Sequence, residues 1–85
     1  MISDNISIFP NPASTTSTLS ISVDKPGLAS YSLTDLTGKE IEAGALNLIA
    51  GKNNKTLNLK GLSKGIYLIN IEFESEILTK KLIIK

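Results

Sequence analysis

Apolar and polar residues alternate along most of the 85-residue chain, with the period of two that is typical of β-strands with one buried face. The alternation is clearest where hydroxyl side chains separate Leu19, Ile21 and Val23. Similar runs recur about every ten to twelve residues, turn-forming residues lie between them, and no run has the 3.6-residue period of an amphipathic helix. The pattern predicts an all-β fold, a small antiparallel β-sandwich of immunoglobulin-like architecture with about seven strands.

The strongest strand signal lies in the carboxyl-terminal segment, residues 61–85. Large apolar side chains occupy every second position of residues 67–73, a short polar break follows, and an apolar run then returns to the last residue. Two strand-like runs separated by about two residues predict an antiparallel hairpin, whose turn type stays undefined because the connection lacks glycine. If the runs pair, we expect the glutamates of residues 72–76 to lie near Lys80 and Lys81, as cross-strand charge pairs on a solvated face.

Residues 35–39 (Asp-Leu-Thr-Gly-Lys) predict a tight turn. The Asp35 carboxylate is expected to accept hydrogen bonds from backbone amides just ahead of it, and Gly38 is expected to take a positive φ. In the strand after this turn, the apolar parity shifts at Gly44, which predicts a β-bulge there. Residues 49–55 contain a glycine and two asparagines and are interpreted as a loop.

The sequence Pro10-Asn11-Pro12 ends the first β-prone run, residues 5–9. Its two prolines fix φ and remove two backbone donors, so ladder pairing cannot continue through them. The physical interpretation is a kink that stops a strand at the edge of a sheet.

Composition excludes several classes of function. Cysteine and histidine are both absent, so a disulfide, the usual zinc ligands and a Ser-His-Asp or Cys-His catalytic arrangement are all excluded. All nine basic residues are lysine, the net charge is +1 and aromatic residues are few, which does not fit a nucleic-acid-binding surface. The acidic residues fall in turns or at outward strand positions and form no pair across a groove. We therefore expect no enzymatic activity, no cofactor and no metal.

Three ordered motifs carry a resemblance to a known family. They are Ile8-Phe9-Pro10-Asn11-Pro12-Ala13, the Asp35-Leu36-Thr37-Gly38-Lys39 turn, and the Gly61-Leu62 to Gly65-Ile66-Tyr67 opening of a strand that leads to the terminal Lys80-Lys81-Leu82-Ile83-Ile84-Lys85. Together they resemble the C-terminal sorting domain of cargo proteins of the type IX secretion system, and they cover nearly the whole chain. The resemblance implies a single domain, residues 1–85, in which residues 1–5 are a linker or an added start.

The resemblance also implies a path and partners. Such a domain follows a cargo protein into the periplasm, is recognised by the outer-membrane translocon and shuttle proteins, and reaches the cell surface or the medium. A sortase-like surface peptidase then removes it, so cleavage is expected near residues 3–5 or upstream of them. The signal residues that this implies are Pro10, Asn11, Pro12, Asp35, Gly38, Gly65, Tyr67, Lys80, Lys81, Leu82 and Ile84.

The contact with the export machinery is expected at the terminal strand, because an exposed strand edge can pair with the backbone of a partner. Tyr67 and Ile84 have a second interpretation as core residues. The alternative function is a non-catalytic spacer, adhesion or binding module of a surface protein, since fold alone does not define function. Self-association through the edge strands of a thin sandwich is a further interaction that the pattern leaves open.

Overall fold

A computed structural model describes residues 6–85, which fold into seven strands in two sheets. The predicted linker and cleavage region at residues 1–5 lies outside this part. The strands are β1 (Ile6–Phe9), β2 (Thr16–Val23), β3 (Gly27–Asp35), β4 (Glu40–Leu48), β5 (Gly51–Asn58), β6 (Gly65–Phe73) and β7 (Glu76–Ile84).

The two sheets have the strand orders β1-β2-β5 and β4-β3-β6-β7, and every pair of neighbouring strands is antiparallel. This order is that of an immunoglobulin-like sandwich. Here the fourth strand pairs with the third, whereas in immunoglobulin constant domains the fourth strand belongs to the first sheet. The predicted fold class is therefore confirmed. No helix within residues 6–85 is long and apolar enough to cross a membrane.

The core lies between the sheets and is built from the alternating positions of their strands. Leu19, Leu33, Ile69 and Ile71 are completely buried, which confirms the predicted inward sets. Tyr67, near the start of β6, donates a hydrogen bond from its hydroxyl to the Ser63 carbonyl at 2.8 Å. This is the tyrosine corner of immunoglobulin-like sandwiches, which fixes the loop ahead of the sixth strand.

The predicted loop at residues 49–55 is wrong, because β5 begins at Gly51. Asn53 lies opposite Ile21, at a position where the alternation rule expects an apolar side chain. Its Nδ2 donates to the Ile21 and Ile49 carbonyls at 3.2 and 2.9 Å, and its Oδ1 accepts from the Ile49 amide at 2.9 Å. The side-chain amide of Asn53 therefore stabilises the end of an edge strand by hydrogen bonds. For this reason β5 lacks the alternation of apolar and polar residues that predicts a strand.

The β-bulge occurs in β4, but its predicted position at Gly44 is wrong. The register shifts where Leu33 faces Glu42 and the next residue of β3 faces Glu40, so Ile41 is the extra residue. Gly44 pairs regularly with Tyr31, and a Cβ there would lie 3.0 Å from Tyr31 Cε1. The glycine makes room for the ring, and the change of parity between Ile41 and Leu46 comes from the extra residue of the bulge.

The terminal hairpin is confirmed, and its two-residue turn is made by Glu74 and Ser75 at φ 52° and 67°. Positive φ at both positions is the requirement of a type I′ turn, here met without glycine. The expected charge pairs are wrong in register, because Lys80 faces Ile69 and Lys81 faces Leu68. Adjacent residues point to opposite faces, so the two lysines do not share a surface.

Candidate functional site

The register brings residues from all three motifs into a single row across the second sheet. Asp35 at the end of β3 pairs with Tyr67 at the start of β6, and Tyr67 pairs with Leu82 near the end of β7. The side chain of Asn11 binds the far edge of β7 on either side of Leu82. We call these four residues the motif row. The motifs are distant in sequence and lie together at one end of the sandwich.

Asn11 completes the row with its side-chain amide. Nδ2 donates to the Lys81 carbonyl at 2.9 Å, and Oδ1 accepts from the Ile83 amide at 2.9 Å. A primary amide used in this way takes the place of one residue of a neighbouring strand, because it offers one donor and one acceptor to the edge. The position of Asn11 is itself held, since the Ser17 hydroxyl donates to the Pro10 carbonyl at 2.9 Å.

The backbone of Ala13 continues this pairing in the parallel sense. Its amide donates to the Ile83 carbonyl at 2.8 Å, its carbonyl accepts from the Lys85 amide at 2.8 Å, and its side chain is buried. Residues 10–13, which we call the proline strap, therefore leave the first sheet and cover the edge of β7 from Lys81 to Lys85. Both prolines of the strap follow cis peptide bonds.

The strap bears on the expectation that the edge of the terminal strand is open to a partner. The carboxyl-terminal half of the β7 edge is already paired with the strap. The open part of this edge is therefore shorter than the sequence predicts. The kink interpretation of Pro10 and Pro12 describes only part of their setting, since Asn11 between them holds two strands of different sheets together.

The Asp35 turn has the predicted geometry. Oδ1 of Asp35 accepts from the Thr37 hydroxyl at 2.6 Å, the Thr37 amide at 2.9 Å and the Lys39 amide at 3.0 Å, and Gly38 has φ 90°. The bond from the Thr37 hydroxyl lowers the pKa of Asp35 below its usual value, desolvation opposes this effect, and the two amide bonds support it. The carboxylate organises the turn, as expected of a structural acid.

Gly65 and Ile84 form the rung two residues beyond the row, after the rung of Ile66 and Ile83. Gly65 has φ 151°, a conformation that favours glycine, and it lies opposite Ile84. Ile84 is 3% exposed and Leu82 is completely buried, while Tyr67 is buried and capped by its hydroxyl bond. These four candidate residues therefore build the end of the sheet and present little side-chain surface.

The two lysines differ in environment. Lys80 is partly buried on the core-facing side of β7, where it faces the completely buried Ile69, whereas Lys81 is exposed on the outer side beside Leu68. A lysine in the first position covers apolar surface with its stem and keeps its charge at the rim. Of these two lysines, Lys81 is the one on the outer face of the motif end.

The outer face beside Lys81 carries apolar residues that were not among the predicted site residues. Ile66 faces Ile83, Leu68 faces Lys81, and Ile66 is 40% exposed. We call Ile66, Leu68 and Ile83 the outer apolar strip. The sequence contains a signal for it, because these residues are apolar at outward positions where the alternation rule expects polar ones.

Elsewhere the outer face is shallow and mixes polar side chains with the exposed Leu28 and Ile77. A depression of about 320 Å³ crosses the sheet. Beside it, Asn70 accepts from the Thr79 hydroxyl at 2.9 Å and donates to the Ser32 hydroxyl at 3.3 Å. Across residues 6–85 no three acidic side chains come close enough to hold a metal ion.

Comparison with known families agrees with this geometry. The model of the secretion system C-terminal sorting domain family matches residues 7–85, and the chain belongs to this family, the sorting domains of the type IX secretion system. Domains of the family are generally non-catalytic, and they are parts of secreted or cell-surface proteins with an attached cargo. A search of curated proteins found none that matches the chain.

Proposed function

We propose that this domain directs an attached cargo protein across the outer membrane through the type IX secretion system. The observation that carries the proposal is the motif row, because it gathers three separated family motifs at one end of one sheet. The row builds the end of the sheet on which Lys81 and the outer apolar strip are presented to a receptor. The proposed partners are the outer-membrane translocon, its shuttle proteins and the fused cargo.

Exposure divides the candidate residues into two groups. Tyr67, Leu82 and Ile84 are buried and act by building the end of the sheet, so their loss impairs export through misfolding. Lys81 and Ile66 are exposed and the rest of the outer apolar strip is half-buried, and we propose that the export machinery contacts this surface. A cationic side chain beside exposed aliphatic residues suits a partner surface that is apolar with an acidic rim.

After export, a sortase-like surface peptidase removes the domain. In this step the domain is the substrate and supplies no catalytic group. The cleavage site is proposed upstream of β1, in residues 3–5 or before them, where cutting leaves the sandwich intact. The cargo passes through the periplasm and ends at the cell surface or in the medium.

A fusion assay tests the proposal. Residues 1–85 are placed behind a periplasm-targeted fluorescent protein in a host with a type IX system, and fluorescence is measured in the periplasm, on the surface and in the medium. The expected result is export that requires residues 1–85. Retention of a folded fusion in the periplasm would favour the spacer or binding module instead.

The surface part of the proposal needs variants that leave the core intact. Deletion of residues 82–85 is unsuitable, because it removes the buried Leu82 and Ile84. Lys81→Ala is expected to reduce export while the unfolding temperature stays within about 4 °C of the parent, as is typical of surface substitutions. Lys52→Ala, at an exposed position of β5, is the matched control. Normal export of Lys81→Ala would remove this lysine from the signal.

A further inference from the structure

The proline strap covers only part of the outer edge of β7. In an antiparallel ladder, the backbone groups of alternate residues face each edge. Lys81 and Ile83 direct carbonyl or amide groups to the strap, so Ile77 and Thr79 direct theirs to the same edge. Within residues 6–85, the edge-facing amides and carbonyls of Ile77 and Thr79 have no hydrogen-bond partner. The open edge is therefore a short segment bounded by the hairpin turn and the strap.

The side chains of this open segment are complementary to themselves. Glu76, Leu78 and Lys80 share the core-facing side of β7, with Leu78 midway between an acid and a base, and all three are partly buried. An antiparallel copy of the segment, centred on Leu78, reverses that order. It sets leucine against leucine, and each acid against a base.

We propose that the domain self-associates by antiparallel pairing of β7 with β7 of a second copy, about a two-fold axis through Leu78. Ile77 then faces the partner's Thr79, and each of these two rungs exchanges two backbone hydrogen bonds. Glu76 faces the partner's Lys80 in both directions. The two four-stranded sheets become one continuous sheet of eight strands, and the contact is isologous.

Other registers that satisfy the backbone are disfavoured by named residues. An axis through Thr79 sets Leu78 against Lys80 and needs the Lys81 carbonyl, which is bonded to Asn11. An axis through Lys80 sets two lysines opposite each other, and like charges in that position are destabilising. An axis through Ile77 draws the turn into the ladder. An inward lysine on an edge strand ordinarily prevents pairing with another strand. Lys80 instead favours the one register in which it faces Glu76 of the second copy.

The contact is short, so the dimer is expected to be weak and to form at high protein concentration. Sedimentation equilibrium of residues 1–85 up to millimolar concentration measures its dissociation constant. Glu76→Lys and Lys80→Glu each replace two attractive pairs by two repulsive ones. Each single reversal is expected to weaken association about tenfold or more, and the double variant is expected to recover it to within about threefold.

A mixing experiment makes the register specific. Equimolar Glu76→Lys and Lys80→Glu chains are expected to form a heterodimer more tightly than either variant self-associates, because the mixed pair restores unlike charges at both rungs. Lys52→Glu carries the same charge change on β5 and is expected to leave self-association unchanged. Circular dichroism confirms that each variant is folded. A parent chain that stays monomeric at millimolar concentration, or single reversals that associate as the parent does, would overturn the proposal.

Discussion

Asn11→Ala removes the side chain that joins the proline strap to the terminal strand. The substitution deletes two hydrogen bonds of 2.9 Å, one to the Lys81 carbonyl and one from the Ile83 amide, and it keeps both prolines. A hydrogen bond contributes about 0.5–1.5 kcal/mol net, and the site is exposed enough for water to replace part of each bond. We expect the free energy of unfolding to fall by about 1–2 kcal/mol.

That loss is large for a domain of this size. Typical stabilities of about 0.05–0.15 kcal/mol per residue give roughly 4–13 kcal/mol for a chain of this length. A change of 1 kcal/mol shifts the unfolding temperature of such a domain by about 4–8 °C, so Asn11→Ala is expected to lower it by roughly 4–16 °C. Urea unfolding followed by circular dichroism measures the free energy, and a thermal scan measures the temperature.

The control is Asn54→Ala on β5, where the exposed amide makes no hydrogen bond within residues 6–85. It is expected to change the free energy of unfolding by no more than about 0.5 kcal/mol, as surface substitutions do. Equal effects of the two variants would refute the assigned role of Asn11. Amide exchange at Ile83 provides a second readout, since its protection is expected to fall in Asn11→Ala alone.

Three further predictions concern the turns and the Tyr31 contact. Ser75 has a positive φ, which is unfavourable for a residue with a side chain. Ser75→Gly removes this penalty and is expected to raise the free energy of unfolding, measured by urea unfolding, by up to about 1 kcal/mol. The Tyr31 hydroxyl donates to Glu42 Oε2 at 2.6 Å, which with burial raises the pKa of Tyr31 to about 12, so its absorbance titration is expected near pH 12. The pKa of Tyr31 in the folded protein exceeds the unfolded value near 10. The contribution of the buried, hydrogen-bonded Tyr31 hydroxyl to stability is therefore complete below pH 10 and is lost between pH 10 and 12. Asp35→Ala is expected to destabilise the domain at neutral pH, and the difference from the parent narrows as the pH falls through the lowered pKa of Asp35.

Each of these has a control and a contrary outcome. Ser14→Gly, at a position without positive φ, is expected to bring no gain, and an equal gain there would assign the effect to glycine itself. Glu42→Gln is expected to return the Tyr31 pKa toward 10, and an unmoved midpoint would contradict the assigned cause. Asp24→Ala is the control for Asp35→Ala, and a difference from the parent that widens on acidification would reverse the sign of the argument.

The sequence predicts the structure best where the signal depends only on residues close together in the chain. The alternation around Leu19 and Ile69 identifies buried faces, because parity is a local property of a strand. The Asp35 turn is predicted for the same reason, since every bond to its carboxylate comes from within four residues. Seven strands in two sheets then follow from their number and spacing.

Prediction fails where a residue acts through a distant partner. Gly44 resembles a bulge in sequence, yet it makes room for the ring of Tyr31 on another strand. Asn53 resembles a loop residue, yet its side chain replaces backbone bonds at the end of β5. Asn11 binds residues 70 and 72 positions away, and no local pattern reports those bonds. Lys80 and Lys81 are adjacent in sequence and suggest one charged patch, but adjacent residues of a strand point to opposite faces of the sheet.

We propose that residues 1–85 form an export signal of the type IX system. The most direct measurement is the fraction of a fluorescent fusion found outside the cell, compared between a host with an intact type IX translocon and the same host without it. We predict that residues 1–85 carry the fusion out only in the intact host, and that a fusion without them stays in the periplasm in both. Equal export from the two hosts, or retention of the folded fusion in the intact host, would contradict the account.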